Sequence, residues 1–334
     1  MSTADHPTKP QLQPRWIHAI VAGFNIIANN IYLILLPMGL DLVLWLGPRV
    51  RVKALMEPMI RVFIQGLGTG NANATALGES ALELWQAVLT EFNLLSLLRT
   101  FPVGVPSLFA NKSVLSTPLG QPAIIELSSA FQALLVWTCI VAFGLLLGTF
   151  FYSLVARKAL AGEKSVSIWN GFLQTFVLSA AMILFLVVLS IPLTLVLSVV
   201  TLISIGLGQV MLILVGVVLV WMLMPLVFSA HGIYVFRQSA MISILTSVRM
   251  VRFLLPGVSM FIFTSALLLL GLDLIWTMPD QSSWMVLIGI AGHAFIASAI
   301  LAASFVYFRN GVIFMQETLR RWANQQATPA QTAQ

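Results

Sequence analysis

Residues 172–230 read "FLQTFVLSAAMILFLVVLSIPLTLVLSVVTLISIGLGQVMLILVGVVLVWMLMPLVFSA", and no Asp, Glu, Lys or Arg interrupts them. As one helix they would extend about 88 Å at about 1.5 Å per residue, nearly three times a ~30 Å hydrocarbon core. They must therefore be two spans, 172–203 and 210–230. The turn belongs at "SIGLGQ", 204–209, where Gly206 and Gly208 can leave helical geometry. Pro192 and Pro225 are candidate kinks.

The rest of the chain agrees with this medium. Of 334 residues, 59% are hydrophobic and 8% charged. Soluble domains carry about 25% charge, so the expected solvent is a lipid bilayer. The net charge of +6 comes from short basic clusters beside apolar runs, with no interleaved aromatics. That pattern fits span flanks and excludes nucleic acid as a partner. The single cysteine, Cys139, forms no intramolecular disulfide and no thiolate metal site, and is expected to be a small packing residue. No cofactor is expected.

Four more spans follow from apolar length: 26–46, 127–154, 253–278 and 284–308. Residues 1–15 read as a disordered cytoplasmic tail, and Trp16–Asn25 as an amphipathic lead-in helix. Asn25, Asn29 and Asn30 are candidate caps at the start of the first span. Gly144 and Gly148 form a GxxxG pair, expected to admit a neighbouring helix of the bundle. A further amphipathic helix is predicted over Gly311–Trp322, and a disordered tail over 323–334. The membrane domain is thus 16–322.

The insertion 48–126 does not read as a span. Val50–Leu67 and Glu79–Arg99 are amphipathic, "GTGNANATALG" is a turn, and "TFPVGVPSLFANKSVLSTPLGQP" is an irregular loop. Together they predict an external helical cap lying on the membrane.

Basic residues orient the chain. Arg157, Lys158 and Lys164 fill one loop. Arg237, Arg249 and Arg252 lie in 232–252, and Arg309, Arg320 and Arg321 follow the last span. The turns 204–209 and 279–283 hold none. By the positive-inside rule the three basic regions and both termini are cytoplasmic, at a plasma (inner) membrane. The insertion then lies outside despite Arg49, Arg51, Lys53 and Arg61, because translocated loops beyond about 60 residues obey the rule weakly.

Residues 232–252 read as a cytoplasmic amphipathic helix. Ile233, Ala240, Ile244, Val248 and Val251 share one face, and Ser239, Ser243, Thr246 and Arg249 another. Such a helix is expected in the headgroup plane, with Arg237, Arg249 and Arg252 as candidate contacts to headgroups or a docking protein.

Ionisable residues inside spans are expensive and are candidates for function. Asp41, Glu126, Asp273 and His293 all fall in the outer half of the expected topology. Carboxylates and an imidazole converging there could carry protons or bind a cation. Their spacing matches no metal-ligand motif. His18 and His231 are expected to be solvated at the cytoplasmic interface. No nucleophile elbow, P-loop or dinucleotide fingerprint is present.

The stretch "IHAIVAGFNIIANNIYLILLP", 17–37, resembles the opening of a broad group of bacterial multi-span proteins. That group includes the membrane domain attached to some glycerophosphodiester phosphodiesterases. The resemblance implies an interfacial lead-in helix, about six spans and a polar helix between later spans. It does not cover 48–126, and it implies no catalysis. "LLP" at 254–256 is similar to the end of the coupling helix of ABC-importer permeases. That motif's acidic and glycine positions are here Arg237 and Ser243, a departure that weakens the likeness. The expectation is an all-α polytopic transmembrane bundle of about six spans, non-enzymatic, serving membrane transport or supporting a membrane complex. Its partners are the bilayer and other membrane or cytoplasmic subunits. The alternatives are a permease subunit coupled through 232–252 and an intramembrane enzyme using the outer Asp/His cluster.

Overall fold

The computed structural model describes residues 14–67, 72–160 and 166–327. Most of the N-terminal tail, residues 68–71 of the predicted turn, Lys164 and residues 328–334 lie outside the described residues. The chain is an all-α bundle. Its first elements are α1 (Trp16–Ala28), a 3-10 turn (Ile31–Ile34), α2 (Leu35–Leu46), β1 (Arg49–Arg51), α3 (Lys53–Leu67) and α4 (Ala72–Glu91). After β2 (Ile124–Glu126) come α5 (Ala130–Ala159), α6 (Ile168–Ile203), α7 (Ile205–Leu223), α8 (His231–Phe236), α9 (Ala240–Phe253), α10 (Leu255–Trp276) and α11 (Val286–Ala327). The segments Ala130–Ala159, Ile168–Thr201, Gly206–Phe236, Leu255–Trp276 and Val286–Gln325 are each long and apolar enough to cross a membrane. A bent pair, Trp16–Ala28 with Ile31–Leu46, makes a sixth candidate.

That bent pair corrects the expected span over 26–46, in which Pro37 was the candidate for a bend. The two helices meet at 93°, and the break falls at Asn29 and Asn30, not at Pro37. Asn30 donates its side-chain amide to the Ile26 carbonyl at 2.9 Å, so it satisfies the end of α1 and does not cap a helix start. The other end of the bundle brings a second correction. No break separates a sixth span from a tail helix, because α11 runs unbroken through Gly311 to Ala327. Gly311 continues the helix and leaves room for Met250 and Leu254 to close upon it.

The 232–252 segment departs most from its expected form. It is not one helix. Arg237 adopts a left-handed conformation, φ 54°, and separates α8 from α9. The break moves the two halves out of common register. The inward residues of α9 are Ala240, Ser243, Ser247, Met250 and Val251, while Met241, Ile242 and Leu245 face outward. The serines are buried for a reason visible at the end of α7. Pro225 has no N–H, and the chain there leaves α-helical geometry through a 3-10 turn, Met224–Leu226. Ser247 donates to the Pro225 carbonyl at 2.7 Å, and Ser243 donates to the Ser229 carbonyl. In lipid, a proline break is tolerated when hydroxyls re-satisfy the freed backbone. Replacing both serines, S243A with S247A, is expected to cost about 2–4 kcal/mol, since one leaves a buried and the other a half-buried carbonyl without its donor. Denaturation by SDS in mixed micelles measures it, and an unchanged midpoint would refute the role.

The insertion is a cap only in part. α3 and α4 pair as an amphipathic hairpin, and α4 starts at Ala72 and ends at Glu91, earlier at both ends than the sequence suggests. Beyond it, Leu94–Leu98 is a 3-10 turn and the following loop is buried: Val103 and Val105 are fully covered, and Leu108 and Phe109 nearly so. This loop, not a helix, takes the GxxxG pair. A Cβ on Gly144 would lie 2.7 Å from the Leu98 carbonyl oxygen, and one on Gly148 2.7 Å from that of Val103. Gly148 stands about 27 Å along α5 from its first residue at 1.5 Å per residue. The buried stretch of the loop therefore threads between α5 and α2, while Phe101, Leu115 and Leu119 stay exposed. Irregular backbone at such a position is tolerated where protein encloses it. Cys139 is exposed, against the expectation of a packing residue.

The four basic residues that strained the charge rule are all engaged locally. Arg49 is buried and donates to the Thr90 and Glu91 carbonyls at 3.1 and 2.7 Å, where a cation meets the end of the α4 dipole. Lys53 donates to the Thr90 hydroxyl, Arg61 pairs with Glu57 at 2.6 Å, and Arg51 pairs with Glu126 at 3.9 Å. Arg51 and Glu126 face each other across β1 and β2, which run parallel with Arg49 opposite Ile124.

Candidate functional site

Asp41 is fully buried on α2. Its carboxylate accepts from the Ser107 hydroxyl at 2.5 Å and from the backbone N–H groups of Leu108 and Phe109, both at 3.1 Å. A buried carboxylate needs such donors, and bonds to a charged acceptor are the strong ones. The threaded loop supplies all three. Ser107 also accepts from the N–H groups of Phe109 and Ala110, which winds the loop into a turn beneath the carboxylate. Gln281 holds the loop's far end, accepting from Leu115 N–H and donating to the Ser113 carbonyl, both at 3.0 Å. Trp45, one turn beyond Asp41, donates to the Gln281 carbonyl at 2.9 Å and stacks on Phe109.

His293 and Asp273 form the second half of the site. The imidazole Nδ1 lies 2.7 Å from an Asp273 carboxylate oxygen, joining α11 to α10. Nε2 is buried with no partner among the described residues. Asp41 and His293 are close enough to interact electrostatically. Lys112, from the same loop, sits within the field of both carboxylates. Burial pulls its ammonium below the usual lysine range, and Asp273 and Asp41 pull it back. The cluster thus joins two acids, an imidazole and an ammonium from four separated stretches of chain. Such a set can exchange a proton between imidazole and carboxylate, or hold a small polar solute against opposite charges. Among the described residues, no group of three His, Cys, Asp or Glu side chains is placed to hold a metal ion.

Of the four expected outer residues, Asp273 and His293 bond each other, and Asp41 bonds the loop instead, within electrostatic range of His293. Glu126 stands apart, because its partner is Arg51 on the small β ribbon. Arg237, Arg249 and Arg252 are exposed, at the break before α9 and along its last turns. His231 is not solvated. Its Nε2 lies 2.7 Å from the Ser304 hydroxyl, and its ring packs 4.7 Å from that of Phe305 and 5.2 Å from that of Phe228. Ser107, Lys112 and Gln281 were not singled out by sequence. A Ser two and three residues ahead of turn N–H groups was the available signal for Ser107. Nothing in the sequence marked Lys112 or Gln281.

No family model, no curated protein and no solved structure matches this chain.

Proposed function

We propose that this chain is a non-enzymatic multi-pass protein of a plasma (inner) membrane, with both termini cytoplasmic, that serves membrane transport or supports a membrane complex. Its working site is the cluster of Asp41, Asp273 and His293, with Lys112, and its chemistry is proton exchange. The observation that carries the reading is the 2.7 Å contact between His293 and Asp273, with the fully buried Asp41 within electrostatic range of His293. A chain with so few charges does not gather them in its interior without either a use or a large cost. The uncovered α6–α7 hairpin, with Val188, Leu195, Val220 and Trp221 each at least 60% exposed, supports a wide surface toward lipid or another subunit.

The test is proton release after a pH jump, followed by an indicator dye with the protein in nanodiscs. D41N, D273N and H293Q are each expected to remove or displace the same step in that release. Release indistinguishable from the parent in all three variants, or three unrelated changes, would sink the proposal. The exposed arginines of α9 favour a second reading, a subunit docked to a cytoplasmic ATPase. Co-purification of such an ATPase, lost on combining R249Q with R252Q, decides for it.

A further inference from the structure

Two adjoining clefts flank the start of α1. One, of about 640 Å³, is lined by Arg15, His18 and Ala22 on one side and by Tyr307, Arg309 and Asn310 of α11 on the other. The second, of about 690 Å³, shares Arg15 and His18 and is completed by Trp16, Ile17, Pro256, Gly257 and Met260. Among the described residues, no Asp or Glu lines either cleft. The chemistry is therefore cationic and hydrogen-bonding on one flank, and largely apolar on the other.

Two further features point to an anion. Arg15 occupies the N-cap of α1 and makes no side-chain bond to the first turn, so the positive end of that helix is left open to another acceptor. Independently, Tyr307 is 1% exposed and its hydroxyl has no partner among the described residues. A Cβ on Gly257 would lie 2.8 Å from that hydroxyl. Tyr307 thus lines the first cleft, and its covered hydroxyl lies against Gly257, which lines the second. A buried hydroxyl without a partner costs stability unless a ligand or water completes it.

We propose that the paired clefts bind a phosphate-bearing anion. Arg15 and Arg309 neutralise its charge, the α1 N–H groups and Asn310 supply hydrogen bonds, and Tyr307 donates to a phosphate oxygen. Arginine suits this task because its planar fork matches phosphate oxygens. The exposed Ile17 and Met260, each 53% accessible, continue the second cleft outward as a surface for glycerol or acyl chain. The phosphate belongs to an anionic lipid or is free in solution, and the two sources are separable.

The experiment uses the full chain in detergent, with binding read by native mass spectrometry and by thermal unfolding. Three probes are compared: phosphatidylglycerol, phosphatidylcholine and inorganic phosphate. Phosphatidylglycerol is expected to bind on the order of tenfold more tightly than phosphatidylcholine. R15Q combined with R309Q should abolish that preference. Y307F should weaken phosphatidylglycerol severalfold, with the unfolding temperature of the lipid-free protein equal to the parent's or higher. R320Q with R321Q, which removes equal charge elsewhere on α11, should retain the preference. Protection by inorganic phosphate alone, lost in the same variants, supports the site and assigns it to free phosphate. Equal retention of both lipids with no effect of phosphate overturns the proposal. So does an equal loss in the R320Q/R321Q control. Should the double variant fail to fold, Y307F decides by itself.

Discussion

Gly23→Leu is expected to leave little folded protein. A Cβ at residue 23 would lie 2.3 Å from the Ala299 carbonyl oxygen and 2.6 Å from the Ala303 Cβ. Neither neighbour is the far end of a flexible side chain, so α1 and α11 must move apart. In lipid there is little hydrophobic force to hold displaced helices together, and close packing of small residues supplies the attraction instead. Ala299 and Ala303 are fully buried, and Ile20 and Ile27 pack on the same side of α1. Separating the helices therefore loses contacts along the whole of α1, beyond the clash itself. Overpacking typically costs about 1–3 kcal/mol, and a backbone clash belongs at or above the upper end. Gly216→Leu on α7 is the matched control, because a Cβ there meets nothing within 4 Å. Gly216→Leu should elute from size exclusion as the parent does, while Gly23→Leu elutes aggregated or fails to accumulate. Parent-like yield and unfolding for Gly23→Leu would show that the contact between α1 and α11 does not hold the bundle.

What the sequence told, and what it hid, divides along a physical line. Span number was legible because apolar length is local information: a ~30 Å core demands about 20 apolar residues wherever they lie. The break between α6 and α7 fell within the expected 204–209, but at Ser204 alone, and Gly206 and Gly208 lie inside α7. That Asp273 and His293 deserved notice was legible too, since each is an ionisable group in an apolar run and such groups must find a partner or water, and these two bond each other. The threaded loop was not legible. "TFPVGVPSLFANKS" has no period and reads as surface, yet Gly144 and Gly148 receive its backbone. A glycine pair announces close approach without saying of what. Likewise the inward side of α9 was legible only in part: Ala240 and Val251 face inward as the periodicity suggests, but Ser243, placed on the polar face, does so too. Ser243 and Ser247 turn inward to donate to the Ser229 and Pro225 carbonyls, where the chain leaves α-helical geometry after α7.

Asp41→Ala carries the second large effect, and it separates the two roles of the polar cluster. Removing the carboxylate takes the acceptor from the Ser107 hydroxyl and from the N–H groups of Leu108 and Phe109. All three donors are buried, and the loop that bears them has no ladder of backbone bonds to fall back upon. Hydrogen bonds to a charged group contribute about 1.5–3 kcal/mol each, and orphaned buried donors are costly, so a total loss of about 3–5 kcal/mol is expected. Asp41→Asn should fall between, since its amide can accept from two donors but turns an N–H toward the third. Coupling to the loop is read by a double-mutant cycle: once Asp41 is gone, Ser107→Ala should cost little more. The position of the loss is read by cysteine labelling along 103–110, which should rise steeply in Asp41→Ala and not in H293Q. His293 and Asp273 bond each other and not the loop, so their removal alters the proton site while the loop stays seated. If Asp41→Ala keeps the loop shielded and the unfolding midpoint unchanged, the carboxylate does not anchor the loop. If H293Q exposes the loop as much as Asp41→Ala does, the cluster is a single structural staple and not a site for protons.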